Sequence, residues 1–306
     1  MLQKISKNLH RKMWCLLAFM FMVSIAYAKD ETQVQLNVEK ITENISIIFD
    51  QGNGNTLMFA GEDGVLIIDT KSGPAIEKLI AKIAEISDKP IRYAINTHWH
   101  YDHVGGNELM GKAGATIIAH ENVRKRMNTE QKIKFFNKTI PPSPEKALPS
   151  ITYTKKMAFH LNGKKVSAFH LGPGHTGGDT IVYFRSANVI HLGDLYFKGL
   201  YPYIGISSGG SIKSMIKVGN KVLAMIDEKT IIVPGHGPLS NKAEYAEYLN
   251  MLTEIKNNVS KQIKAGKSQE EITASKPTKK FDSKWGKGFL GPDVFTGLVY
   301  MDLSRK

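Results

Sequence analysis

Three closely spaced histidines and one aspartate at residues 97–103 are the group in this chain best suited to chemistry. The segment Thr97-His-Trp-His-Tyr-Asp-His103 carries three imidazoles and one carboxylate. His98 and His100 are two residues apart, so an extended backbone points both side chains the same way. Imidazole nitrogens and carboxylate oxygens are ligands that zinc and similar divalent metals accept. The segment therefore predicts a metal site.

Three further candidate ligands come later in the chain, each in a turn next to a hydrophobic run. His175 lies in a glycine-rich turn, Asp194 follows Leu192-Gly193, and His236 lies between Gly235 and Gly237. Any one of them alone is more simply a hydrogen-bonded polar residue of a turn. Together, and each at the end of a predicted strand, they indicate the same centre, because loops on a rigid sheet commonly carry functional groups.

Short hydrophobic runs separated by glycine turns predict the strands that must position these ligands. The predicted strands cover residues 45–49, 56–60, 65–69, 91–95, 115–119, parts of 151–170, 180–185, 188–192 and 230–233. Helical spacing predicts helices at residues 74–86, after residue 119, at 211–226 and at 243–263. Strands and helices thus alternate in two successive halves, a pattern that two sheets with helices outside them would bury.

The two ends of the chain have separate expected roles. Residues 1–28 combine a basic start, a 13-residue apolar run and the ending Ala26-Tyr27-Ala28, which is typical of a secretory signal peptide. An uncleaved N-terminal anchor is the alternative, although the run is shorter than the roughly 20 residues of a membrane-spanning helix. Residues 29–265 are predicted to form the main domain. Residues 266–306 are predicted to form a helical extension that Trp285, Phe289, Phe295 and Tyr300 dock onto it.

Composition and charge limit the possible partners. The chain has 306 residues, of which 42% are hydrophobic and 23% charged, and this composition is typical of a globular protein. Cleavage after Ala28 would lower the formal net charge from +13 to +9 and remove the single cysteine, Cys15. The remaining basic residues are scattered among acids, without the aromatic residues that a nucleic-acid surface would add. We therefore expect a small-molecule substrate, no nucleic-acid partner and, after export to the periplasm or medium, no stable membrane anchor.

The spacing of the candidate ligands resembles the metal motifs of the metallo-β-lactamase superfamily. The matching parts are the segment from His98 to His103, then His175, Asp194 and His236. Val65-Leu-Ile-Ile-Asp69 resembles the first motif of that family, in which an acid supports the metal loop. The resemblance covers about residues 40–250. It implies an α/β fold, a four-layer αββα sandwich with metals at one edge between the two sheets.

The resemblance also implies a role for each candidate ligand. Three residues would hold each metal and one would bridge them, as follows: His98, His100 and His175 on the first metal, Asp102, His103 and His236 on the second, and Asp194 between them. Seven ligands exceed the four of one tetrahedral zinc, which favours two metals. Zinc suits this donor set best, although iron or manganese could occupy it. Asp69 and Asp179 would orient the side chains of metal ligands without being ligands themselves.

The residue type at position 194 indicates which branch of the superfamily the chain resembles most. Lactamases that bind the second zinc through a thiolate have cysteine at this position, and another lactamase group lacks a bridging acid, so Asp194 is more similar to the glyoxalase II-like and lactonase-like hydrolases. We expect an exported dinuclear zinc hydrolase whose metal-bridging hydroxide attacks a lactam, lactone, ester or thioester carbonyl. Export would place it where β-lactams arrive.

The residues expected to act on the substrate belong to two groups. Asp102 and His236 are the expected catalytic residues, while Lys198, Tyr101 and Tyr203 are candidates for substrate binding. Lys198 could meet a substrate carboxylate, or its aromatic loop could simply pack on the sandwich. Two other functions remain open from the sequence: a metal-dependent phosphodiesterase or nuclease of the same superfamily, and a non-catalytic periplasmic metal-binding protein.

Overall fold

The computed structural model describes residues 34–305, except for the side chain of Lys134, and the expected signal peptide lies outside the described residues. The first of two main sheets has seven strands in the order β1-β2-β3-β4-β5-β6-β9. Their bounds are β1 Asn37–Lys40, β2 Ile45–Phe49, β3 Thr56–Gly61, β4 Gly64–Ile68, β5 Ile91–Ile95, β6 Thr116–His120 and β9 Ile151–Tyr153. Strands β4, β5, β6 and β9 run parallel to one another.

The second main sheet has five strands in the order β10-β11-β12-β13-β14. Their bounds are β10 Lys156–Leu161, β11 Lys164–Phe169, β12 Ile181–Phe184, β13 Val189–Phe197 and β14 Ile231–His236. The last two strands are parallel. A separate antiparallel hairpin consists of β7 Gln131–Ile133 and β8 Lys138–Ile140.

Nine α-helices lie in the described part of the chain. They are α1 Ala75–Ile86, α2 Tyr101–Val104, α3 Asn107–Lys112, α4 Glu121–Met127, α5 Ile212–Leu223, α6 Lys242–Lys264, α7 Gln269–Ala274, α8 Asp282–Trp285 and α9 Pro292–Leu303. Ser211 caps α5 by accepting a hydrogen bond from the backbone N–H of Ser214. No helix of residues 34–305 is both long enough and apolar enough to cross a membrane.

Alternation of side chains along the strands produces the layers of the sandwich. In β4, Leu66 and Ile68 pack with residues of the second sheet such as Val182, whereas Val65 and Ile67 pack on the opposite face with helix α1. The outer face of the second sheet packs in the same manner against α5 and α6. The order of layers is therefore helix, sheet, sheet, helix, and the αββα sandwich expected from the resemblance is confirmed.

Two strands are longer than the sequence predicts, and this moves two candidate ligands into the sheet. Strand β13 continues to Phe197 with every residue buried, and β14 continues to His236. Asp194 and His236 therefore lie within parallel neighbouring strands rather than in turns after them. The hairpin β7–β8 is a further element that the sequence does not predict.

The C-terminal helices α7 and α9 pack against α6 and against each other. Trp285 and Phe295 are buried as expected, and the ring of Tyr201 stacks on that of Phe295 at a centroid distance of 4.6 Å. Phe289 is instead largely exposed. The expectation that Phe289 docks the tail is therefore wrong, because its side chain faces a cavity described below.

Candidate metal centre

The seven candidate ligands converge at one edge of the sandwich. Strand β5 ends at Ile95, and the following loop and helix α2 carry the ligands of residues 98–103. His175 comes from the loop between β11 and β12, while Asp194 and His236 come from β13 and β14. Sites in α/β folds commonly form in this way, at the carboxyl ends of parallel strands.

The first group of ligands contains three imidazoles and one carboxylate: His98, His100, His175 and Asp194. His100 Nδ1 lies 3.0 Å from His98 Nε2 and 2.9 Å from His175 Nε2. Asp194 Oδ2 lies 3.6 Å from His98 Nε2 and 3.4 Å from His175 Nε2. Neighbouring ligand atoms on a tetrahedral zinc are about 3.3 Å apart, so the spacing of this group suits one metal.

The second group contains Asp102, His103 and His236. Asp102 Oδ2 lies 3.3 Å from His103 Nε2 and 3.1 Å from His236 Nε2, and the two imidazole nitrogens are 3.4 Å apart. Asp194 reaches this group too, because its Oδ1 lies 3.2 Å from His103 Nε2 and 3.5 Å from His236 Nε2. The two oxygens of Asp194 thus face different groups, as a bridging ligand would.

One buried atom supports the fit of this centre to metal ions. Asp194 Oδ1 is buried and has no hydrogen-bond partner among the described residues. A buried carboxylate oxygen without a donor is costly, and a cation beside it would remove that cost. The close packing around this carboxylate is also specific, because a Cβ at Gly235 would collide with Oδ1. The donor set and the orphaned oxygen together fit divalent metal ions.

Hydrogen bonds on the outer side hold several imidazoles in place. The Nδ1 of His103 donates to Asp69 Oδ2 at 2.7 Å, and that of His175 donates to the carbonyl oxygen of Tyr203 at 2.8 Å. Asp69 also accepts from the backbone N–H and the hydroxyl of Thr97, both at 2.7 Å. Such partners fix the ring orientation and leave the other nitrogen for a metal.

Asp179 is not a hydrogen-bond partner of the His175 ring, whose nitrogens face the carbonyl oxygen of Tyr203 and His100. Its carboxylate accepts hydrogen bonds from the backbone N–H and the hydroxyl of Thr176, which fixes the turn that carries His175. Burial raises the pKa of Asp179 to about 7, despite these bonds from Thr176. Asp69 therefore contacts a candidate ligand directly, while Asp179 acts on the backbone of another.

The two groups differ in their electrostatics. Burial lowers the pKa of His98 well below its usual range and that of His100 to about 3. Burial also opposes protonation of His236, but the carboxylates of Asp194 and Asp102 outweigh it and raise the pKa of His236 to about 9. The first group therefore presents neutral imidazoles at neutral pH, and the second balances an imidazolium with carboxylates.

A cavity of about 640 Å³ opens above the centre. It is lined by Gln51, Gly52, His100, Tyr101, Asp102, Ile133, Phe136, Lys138, Ile140, Asp194, Phe197, Leu200, Tyr203, His236, Lys287, Gly288 and Phe289. The candidate substrate-binding residues Tyr101 and Tyr203 are among them. Its size and apolar walls are those of a small-molecule site.

Lys198 does not line this cavity, which corrects its expected contact with a substrate. Its ammonium donates to the carbonyl oxygen of Leu239 at 2.7 Å and to Glu244 Oε2 at 2.8 Å. The charge of Lys198 is thus paired with Glu244 of α6, outside the cavity lining. The lysines that do line the cavity are Lys138 and Lys287.

Sequence reasoning missed two walls of the cavity. One is the hairpin β7–β8 with the short 3₁₀ turn Lys134–Phe136 between its strands, and the other is the segment Lys287–Phe289. The adjacent pair Phe135-Phe136 in an otherwise charged stretch is the one sequence signal for the first wall. Nothing in the local sequence distinguishes Phe289 from the buried aromatics of the tail.

Replacing Asp69 with asparagine should weaken metal binding at the second group by about 10- to 100-fold, because an amide supports the His103 imidazole less well than a carboxylate. Isothermal titration calorimetry with the metal ion would measure the change in affinity. Asp63→Asn, an exposed acid on the β3–β4 turn, is the matched control. Unchanged affinity in Asp69→Asn would contradict the role assigned to Asp69.

Comparisons with known proteins agree with this geometry. The family model described as the metallo-beta-lactamase superfamily matches residues 49–245, more than half of the chain. A hydroxyacylglutathione hydrolase of Pelagibacter ubique (strain HTCC1062) is 27% identical over 206 residues, which cover 67% of this chain and 74% of that protein. The metallo-beta-lactamase type 2 of Bacteroides fragilis is 23% identical over 227 residues, which cover 72% of this chain and 84% of that protein.

A similar fold is present among solved structures. A metallo-beta-lactamase from Pontibacter korlensis superimposes with a TM-score of 0.58 at 22% sequence identity. The match covers 72% of this chain and 99% of that one. At this identity the likeness concerns the fold.

Proposed function

The chain belongs to the metallo-β-lactamase superfamily and is a metal-dependent hydrolase, and on that premise we propose that it is a dinuclear zinc enzyme that cleaves a small carbonyl substrate. The candidate substrates are lactams, lactones, esters and thioesters, β-lactams included. The observation that carries this proposal is the position of Asp194, whose two oxygens face two separate ligand groups. Imidazole and carboxylate donors favour zinc over harder cations.

The chain's own residues would divide the work as follows. Bound divalent cations would supply an activated water molecule and a Lewis acid for the carbonyl oxygen. Asp102 and His236 are partly open to the cavity, with side chains 32% and 20% exposed, so they would lie near the scissile bond. His98, His103 and His175 are buried and would anchor the centre.

The cavity walls would position the substrate over this open side. Tyr203 lies between the walls and the centre, with its ring 5.6 Å from that of His100. Tyr101 follows His100 in the chain and borders the same cavity. Apolar walls limit the access of bulk water, which strengthens electrostatic interactions with the reacting carbonyl.

Metal analysis and a hydrolysis panel test the proposal. The zinc-loaded protein should hold about two equivalents per chain and hydrolyse nitrocefin, a lactone, an aryl ester or a thioester. Protein treated with a chelator should be inactive, and zinc should restore its activity. Bis-p-nitrophenyl phosphate serves as the contrasting substrate. One equivalent of metal would contradict the dinuclear centre, and turnover of the phosphodiester alone would contradict a carbonyl substrate.

We also propose that the enzyme acts after export, in the periplasm or medium. The basis is the basic, apolar and small-residue pattern of residues 1–28. Cell fractionation with a mass measurement of the mature chain would test it, and an intact N-terminus in the cytoplasmic fraction would contradict it.

A further inference from the structure

Exposed aromatic side chains are concentrated at one place in the described part of the chain. Tyr101, Phe136 and Phe289 are 56%, 46% and 63% exposed, and all three line the cavity above the metal centre. The other large hydrophobic residues exposed between residues 34 and 305 are aliphatic or methionine. Scattered exposed hydrophobics are ordinary on protein surfaces, but a cluster around one cavity indicates a surface that binds an apolar ligand.

The apolar surface continues from the rim to the metal ligands. Ile133, Phe136 and Ile140 of the β7–β8 hairpin form one wall, and Phe289 belongs to another. The ring of Phe136 lies 5.0 Å from that of Tyr203, which in turn borders His100. An apolar chain or ring of a ligand could thus remain in contact with protein along this whole path.

Two lysines give the rim a positive charge. Lys138 and Lys287 are exposed, line the cavity and form no ion pair within the described residues. Lys198, by contrast, is neutralised by Glu244. The two acids that line the cavity, Asp102 and Asp194, belong to the candidate metal centre. The rim therefore offers uncompensated ammonium groups to an anion.

We propose that the cavity takes amphipathic anions: substrates with an apolar chain or ring beside the scissile carbonyl and an anionic group at the far end. The apolar part would lie against Phe136 and Phe289, and Lys138 and Lys287 would attract the anionic end. The cleavage step rests on the proposed function, whereas binding of the apolar anion does not. The volume of about 640 Å³ suits a ligand of this kind.

Matched esters test the substrate class on the zinc-loaded protein. The probes are 4-nitrophenyl octanoate, the mono-4-nitrophenyl ester of octanedioic acid, which adds a terminal carboxylate, and 4-nitrophenyl acetate. We expect kcat/KM to be about fivefold or more higher for the anionic ester than for the neutral octanoate, the effect of one exposed ion pair. The acetate should be the poorest substrate.

Two double variants test whether the preference for the anionic ester arises at the rim of the cavity. Lys138→Ala with Lys287→Ala should reduce the anionic-to-neutral ratio of kcat/KM about fivefold, and raised salt should do the same. Lys164→Ala with Lys165→Ala removes the same charge from β11 outside the cavity and should leave the ratio unchanged. Equal loss of preference in both double variants would overturn the assignment, since net charge alone would then account for it.

A binding measurement separates this proposal from the proposed hydrolase. Calorimetry on the zinc-loaded protein should show octanesulfonate binding at least fivefold more tightly than octyltrimethylammonium. Phe136→Ala with Phe289→Ala should weaken that binding, while Met301→Ala, an exposed side chain on α9, should not. Sulfonate binding without cleavage of these esters or of any carbonyl substrate of the hydrolysis panel would contradict the proposed carbonyl cleavage and support the cavity assignment. Ester cleavage without preference for chain length or charge would refute the cavity assignment alone.

Discussion

Replacing Asp194 with asparagine should reduce the metal content from about two equivalents to one or less and lower kcat/KM by about 10³-fold. The amide removes one negative charge and turns one of the two ligand oxygens into an N–H₂ donor, which cannot bind a cation. The first group would keep its three imidazoles and the second would keep Asp102, His103 and His236, but both would lose the carboxylate that faces them together. Metal analysis by mass spectrometry and steady-state kinetics on the best substrate of the panel measure both effects.

The fold should tolerate this change, which keeps the test interpretable. Asparagine has the same shape as aspartate, and Asp194 Oδ1 has no hydrogen bond to lose. Asp88→Asn, an exposed acid between α1 and β5, makes the same charge change far from the centre and should behave like the parent. A variant at position 194 that keeps two metals and activity within about tenfold of the parent would disprove the bridging role.

Asp102→Ala and His236→Ala should each abolish turnover while leaving one metal equivalent bound. Each change removes a ligand of the second group, in which Asp102 Oδ2 lies within 3.3 Å of both imidazole nitrogens. The first group contains neither residue. The expected loss is about 10³-fold or more, because both cations contribute to stabilising the charge that develops on the substrate.

His160→Ala serves as the control for this pair, since His160 is an exposed histidine on β10. It should retain two metal equivalents and full activity. If both Asp102→Ala and His236→Ala remain active, a mononuclear scheme on the first group must replace the dinuclear one. Loss of both metals together would contradict the expectation that the first group, which keeps all of its residues in both variants, binds its metal independently.

The candidate ligands that converge in the structure could be picked out from the sequence, because residue types that bind metals are recognisable in short segments. Three imidazoles and a carboxylate at residues 98–103 form a dense set of candidate metal ligands in one short segment, and Asp194 and His236 come closely after hydrophobic runs that the sequence marks as strands. The strand and helix pattern was equally informative, because short hydrophobic runs between glycine turns mark buried strands whatever their neighbours are. The helix predicted at residues 74–86, for example, is α1.

The cavity walls could not be predicted, because they depend on contacts between distant parts of the chain. Lys198 follows Asp194 closely in sequence, but pairing of β13 with β14 turns its side chain towards Glu244 of α6. Phe289 lies in the segment between α8 and α9, far in sequence from the ligands whose cavity it lines. The hairpin β7–β8 packs outside both main sheets, so its short alternating pattern carried no signal of its position.

Each ligand group combines residues from the two successive parts of the chain that form the two sheets. His98, His100, Asp102 and His103 follow β5 of the first sheet, whereas His175, Asp194 and His236 belong to the second. Any sliding of one sheet over the other would pull both groups apart at once. Metal binding and sliding of the sheets are thermodynamically linked. If sliding lowers the binding free energy of the ions by a given amount, bound ions must disfavour sliding by the same amount. Bound cations would thus hold the two sheets together at two points, so that loss of the cations and loosening of the fold occur together.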